Sequence, residues 1–131
     1  MPEFILYGYS IYSNLEYRLS SRALININNG RIKRLGKTKA RLFEYLLAKA
    51  EGDCIYDNDI IMDVFEDYGL RCSKSYLLAT IKDIRAAFLS VGFERNPIIR
   101  QGRNAYLIDN SVIQKIYAES HNVLPQERLL D

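Results

Sequence analysis

Acids are the first candidates for chemistry in this chain. Asp57 and Asp59 stand two residues apart, and Asp63 and Asp67 stand four apart. General acid–base work needs a further group that shifts or orients one carboxylate of a pair. The sequence supplies no such partner, and both pairs read as helix-surface acids. His121 is the single histidine and falls in an expected tail, which supports neither a catalytic base nor a zinc cluster. No phosphate-binding loop or nucleophile motif occurs. Cys54 and Cys72 form no disulfide framework or metal pattern and read as reduced, buried, inert thiols. The expectation is a protein that is not an enzyme and takes no metal or cofactor.

Recognition chemistry is better supplied. From Ser73 to Tyr106 the chain reads as an amphipathic helix followed by a short arginine-bearing hairpin. Leu77, Ile81, Ile84 and Phe88 recur at spacings of four, three and four, one apolar stripe at about 100° per residue. The opposite face carries Ser75, Ala79, Lys82, Asp83 and Ala86, with Arg85 on its flank. These residues are mostly small, so the helix backbone can approach another surface closely. In a major groove, Lys82 would reach a base edge or a phosphate, and Ser75, Ala79 and Thr80 would read bases or a thymine methyl. Arg85 would hold phosphate or lay its stem on Leu89. Arg100 and Arg103 flank one turn and suit phosphate or the minor groove. Tyr106 packs in the same hairpin and offers a hydroxyl. Lys37 and Lys39, with Arg41, surround the start of an earlier helix, where amides and positive charge could hold a phosphate, though a solvated basic loop is the plainer reading.

These groups must be positioned by earlier elements. Leu15, Tyr17 and Leu19 alternate with Glu16 and Arg18, the period of a half-buried strand. Leu24–Ile27 and Arg31–Leu35 flank Asn28-Asn29-Gly30, a tight-turn signal. With Phe4–Tyr12 they predict an antiparallel sheet of three or four strands. A first helix is expected from Thr38, as N-cap, to near Gly52, with Leu42, Phe43, Leu46, Leu47 and Ala50 inward. A second runs from Asp57 or Asn58 to before Gly69, and the third from Ser73 to Gly92. Ile98-Ile99 and Ala105–Ile108 make the hairpin. Residues 111–119 predict a short helix, followed by a tail.

The net charge of +2 conceals a block pattern. Arg18 to Arg41 holds eight basic residues and no acid. Glu44 to Asp67 holds eight acids and one lysine, and Arg71 to Arg103 holds seven basic residues and two acids. Basic, acidic and basic blocks thus alternate along the chain. No apolar run approaches the roughly 18–20 residues that span a bilayer. Met1-Pro2-Glu3-Phe4 lacks the basic start of a signal peptide, so a cytoplasmic protein is expected.

In this order, strands, three helices and a hairpin resemble a winged helix-turn-helix domain. The motifs are similar to those of the effector domain of OmpR/PhoB-type regulators, the group that includes ToxR- and CadC-like proteins. Leu35-Gly36-Lys37-Thr38 leads into Phe43-Glu44-Tyr45-Leu46-Leu47, as that family's strand leads into its first helix. Gly52-Asp53-Cys54-Ile55-Tyr56 enters the second helix, and Val64-Phe65 stands where the family has Val-Trp. Ile81, Ile84-Arg85 and Phe88 match the recognition helix, and Ala105-Tyr106-Leu107 the end of the wing. Two departures stand out: Asp83, where a neutral or basic residue is common, and Ala105, where the wing usually has glycine.

The resemblance implies an α+β winged helix-turn-helix with an N-terminal antiparallel sheet, three helices and a C-terminal β-hairpin wing. Residues 1–110 would form a DNA-binding domain and 111–131 a short helix and tail. It implies a sequence-specific transcriptional regulator on double-stranded DNA, with oligomers on tandem sites and control by a separate regulatory protein. Asp63, Glu66, Asp67 and Arg71 would face RNA polymerase. The competing expectation is a protein-interaction module that keeps this fold without DNA binding, favoured by Asp83 and the few basic residues on the third helix.

Overall fold

The computed structural model describes residues 3–120. These form an α+β fold of three α-helices and two antiparallel sheets. Four strands come first: β1 (Glu3–Ile11), β2 (Leu15–Arg18), β3 (Ala23–Asn26) and β4 (Ile32–Arg34). Helix α1 (Lys37–Ala48), the short strand β5 (Ile55–Tyr56), α2 (Asp57–Ile60) and α3 (Lys74–Ser90) follow. The chain then returns as β6 (Ile98–Gln101), β7 (Ala105–Ile108) and β8 (Ile113–Ser120). The larger sheet runs β4-β3-β2-β1-β8 and the smaller one β5-β7-β6.

Period-two patterning shapes the larger sheet. Leu15 and Tyr17 of β2 turn inward between the half-buried Glu16 and Arg18, as the alternation predicts. Tyr9 and Ile11 of β1 join them. The β1–β8 register slips between Leu6 and Gly8: Leu6 faces Tyr117 and Gly8 faces Ile116. Tyr7 is therefore an extra residue, a bulge. At Gly8 the backbones come so close that a Cβ would overlap the carbonyl oxygen of Tyr17. Edge-on aromatic contacts then join sheet to helices. Tyr17 meets Phe43 of α1 at 5.0 Å, and Phe43 meets Phe88 of α3 at 5.8 Å, between ring centroids.

Two expectations about elements are corrected. The segment 111–119 is not a helix. After a short 3-10 turn it is β8, antiparallel to β1. Ile113 and Ile116 carry the β-branching that favours a strand, and β1 offers an unpaired edge that a helix could not satisfy. Helix α1 starts at Lys37 with Gly36 as cap and no side-chain cap bond, so Thr38 is not its N-cap. The second helix is Asp57–Ile60 continued by a π turn (Ile61–Phe65) and a 3-10 turn, closing on left-handed Gly69 at φ 75°. Among the described residues no helix is long and apolar enough to cross a membrane. The expected tail with His121 lies outside the described residues beyond Ser120.

Candidate nucleic-acid interface

Helix α3 is built as its stripe predicts. The Ser73 hydroxyl caps it, accepting from the Tyr76 amide at 3.0 Å. Leu77, Ile81, Ile84 and Phe88 are fully buried, while Ser75, Ala79, Lys82, Asp83 and Ala86 are exposed. Thr80 departs from its expected role. It is buried, and its hydroxyl donates to the Tyr76 carbonyl at 2.8 Å, so it cannot read a base. Leu78 and Leu89 also open outward, 41% and 59% exposed.

The β6–β7 hairpin lies against one flank of α3. Lys74, in the first turn of α3, reaches Asn104 at 2.8 Å, and Arg85 donates to the Ile98 carbonyl at 3.0 Å. On the opposite flank, Lys39 of α1 pairs with Asp83 at 3.3 Å. Asp83 and Arg85 are about 160° apart around a helix of 3.6 residues per turn, so Lys82 and Ala86 stand between the two supports. Asp83 is partly neutralised where it stands, although an exposed pair of this kind contributes little stability.

The arginines divide. Arg103 lies exposed in the hairpin turn. Arg100 does not serve as a free phosphate ligand: it makes a forked pair with Asp57, at 2.7 and 2.9 Å. It also donates to the Arg103 carbonyl and covers the Tyr106 ring at 4.5 Å. Asp57 in turn lies 3.4 Å from Lys74. Its pairing holds the Arg100 guanidinium above its ordinary pKa, the Asp57 hydrogen bonds being the main cause. Tyr106 is 1% exposed, so its hydroxyl is not presented to phosphate, and burial pushes its pKa up. Arg85 spends a donor on Ile98 and is half-buried, a structural use. Asp57 is 2% exposed, not the surface acid expected. Sequence reasoning missed it, and the only signal was an acid at a helix start after a β segment.

At the start of α1, the cap residue Gly36 offers no side-chain bond to the amides and no acid occupies the first turn. Lys37 is exposed there and Lys39 half-buried. Arg41 instead lies on the Tyr68 ring at 3.7 Å and donates to the Val64 carbonyl at 3.1 Å, bracing α1 against the second helical segment. On the acidic face, Glu66, Asp67 and Arg71 are exposed, whereas Asp63 accepts from the Tyr45 hydroxyl at 2.6 Å. Burial, then the Asp63 hydrogen bond, raise the Tyr45 pKa. Cys54 is exposed and Cys72 half-buried, so neither is the sealed thiol expected. Burial and Glu66 raise the Cys72 pKa, which does not favour the reactive thiolate. Among the described residues no three His, Cys, Asp or Glu side chains are grouped to hold a metal. No protein-family model and no curated protein matches this sequence.

Proposed function

We propose that this protein is a sequence-specific transcriptional regulator that binds double-stranded DNA through a winged helix-turn-helix. In this reading α3 enters the major groove and the β6–β7 hairpin is the wing on the backbone or minor groove. The outer face of α3 carries the reading. Ser75, Ala79, Lys82 and Ala86 are exposed together between the hairpin and the start of α1. A helix about 10–12 Å across fits a groove about 12 Å wide, and small side chains let its backbone sit deep. Lys82 is the base or phosphate contact on the helix. Arg103, Lys37 and Lys39 flank it for phosphate, and Arg100 acts behind them by holding the hairpin to Asp57. Glu66 and Asp67 at the end of the acidic segment and Arg71 just after it, all exposed, are the residues for an RNA polymerase contact, with Asp63 behind them. No catalytic residue, metal or cofactor is assigned.

One observation favours a second reading, a protein-interaction module. Leu78 and Leu89 add apolar area to the same face, as a helix-in-groove partner would use it. Selection from a random duplex library, followed by anisotropy titrations over a salt series, separates the two. DNA binding predicts an enriched motif, a linear fall of log affinity with log salt, and loss of affinity in Lys82→Ala. No enriched motif and no salt-dependent binding would reject the DNA reading. Loss of a protein partner in Leu78→Ser with DNA binding absent would favour the module.

A further inference from the structure

The larger sheet has two edges, and they are finished differently. β4 is three residues long, wholly exposed, and carries Lys33 and Arg34, features that discourage strand addition. β8 is eight residues long, and among the described residues nothing pairs its outer side. Beside it lies a concentration of exposed apolar side chains. Phe4 is 67% exposed, Ile5 56% and Tyr117 55%. Leu6 faces Tyr117 and Phe4 faces Glu119 across the β1–β8 ladder, so Phe4, Leu6, Lys115, Tyr117 and Glu119 share one side of the sheet. A hollow of about 420 Å³ lined by Ile5, Leu6, Tyr7, Leu19 and Ala118 adjoins them.

We infer that β8 is a self-association edge, at which two copies of this chain pair β8 to β8, antiparallel about a twofold axis through Tyr117. The charge pattern selects both the partner and the register. With Tyr117 opposite its own copy, Lys115 of each chain faces Glu119 of the other, twice over. One step to either side puts Lys115 or Glu119 opposite Tyr117 and leaves the charges unmatched. Lysine on an edge strand ordinarily deters pairing, but here its counter-charge stands four residues along the same strand. The pairing also sets Tyr117 of the two copies side by side, so that the row from Leu6 to Tyr117 continues into the same row of the other copy, and it extends the sheet to ten strands. An isologous contact of this kind closes at two copies.

Sedimentation velocity of the full chain over a concentration series tests the inference, with circular dichroism to confirm that each variant is folded. Lys115→Glu alone and Glu119→Lys alone each put two like charges in opposition, and each should raise the dimer dissociation constant about tenfold. Combined, they exchange the two signs and should restore the wild-type constant. In a Cys54→Ser/Cys72→Ser background, Tyr117→Cys should form a disulfide-linked dimer on oxidation, because facing residues of an antiparallel pair lie close enough to bridge. A chain that stays monomeric would overturn the inference and leave the edge to residues 121–131 or to a strand from another protein. A dimer insensitive to both single reversals, or a double reversal that fails to restore association, would also overturn it. None of these readouts involves DNA, so self-association and DNA binding stand or fall separately.

Discussion

Two arginines in one hairpin illustrate how residue type and residue role part company. Arg100 and Arg103 look equivalent in the sequence, each flanking the turn, yet Arg100 is committed to buried Asp57 while Arg103 is exposed. Their alanine variants should therefore differ in kind. Arg103→Ala should leave stability unchanged, weaken DNA binding and lower the salt slope by about one. Arg100→Ala strips a buried carboxylate of its main partner. It should cost about 3 kcal/mol, the low end of the range for a broken buried pair, because Lys74 still faces Asp57. Urea denaturation beside salt titrations checks both. Equal salt slopes for wild type and Arg103→Ala would remove Arg103 from the interface. Asp57 reads as a surface acid in the sequence because charge gives no sign of depth. Its burial follows from β6, which comes more than forty residues later.

At the scale of elements, α3 is the most legible, because an apolar repeat of 3.6 residues over about three turns leaves little choice of face. The repeat did not resolve the border of that face. Thr80 falls about 140° from Ser75 around the helix, close enough to the core to be covered and to turn its hydroxyl onto the Tyr76 carbonyl. Thr80→Val should accordingly leave DNA affinity within about 0.5 kcal/mol of wild type. Ala79→Glu, on the open face, should keep the fold and reduce binding at least about tenfold by setting a carboxylate against phosphates. Unchanged affinity in Ala79→Glu would take α3 out of the groove. The β1–β2 turn was illegible for another reason. Tyr12 and Ser13 adopt φ of 54° and 67° without the Asn-Gly pair that normally announces such a turn. Gly8 is a sharper case. Its need for glycine comes from the Tyr17 carbonyl of the next strand. Gly8→Ala should cost about 1–3 kcal/mol in thermal or urea unfolding, and a neutral result would contradict this packing.

For the whole molecule, the abundant tyrosines tie stability to pH. Tyr9, Tyr12, Tyr17, Tyr45 and Tyr106 are all held above their ordinary pKa, in each case chiefly by burial. Tyr17 and Tyr45 also donate to Glu44 and Asp63. An unfolded chain ionises its phenols near pH 10, while the fold keeps these neutral. Their stabilisation is therefore whole below about pH 10 and is lost as pH rises toward the folded values. Urea midpoints followed up the alkaline range should fall, and Tyr17→Phe with Tyr45→Phe should flatten that fall. An equally steep decline in the double variant would exclude these two phenols as its cause. The sequence by itself determined the local periods: two in the first strands, 3.6 in α1 and α3, and the turns marked by Asn, Gly and Pro. These are set by residues within a few positions of one another. The tertiary structure alone decided which charges are paired, which strands border the sheet among the described residues, and that 113–120 is a strand. Each of those outcomes depends on a partner far along the chain: β1 for β8, Asp57 for Arg100, Lys39 for Asp83. A spacing rule cannot see such partners, because they meet only once the core around Tyr17, Phe43 and Phe88 has closed.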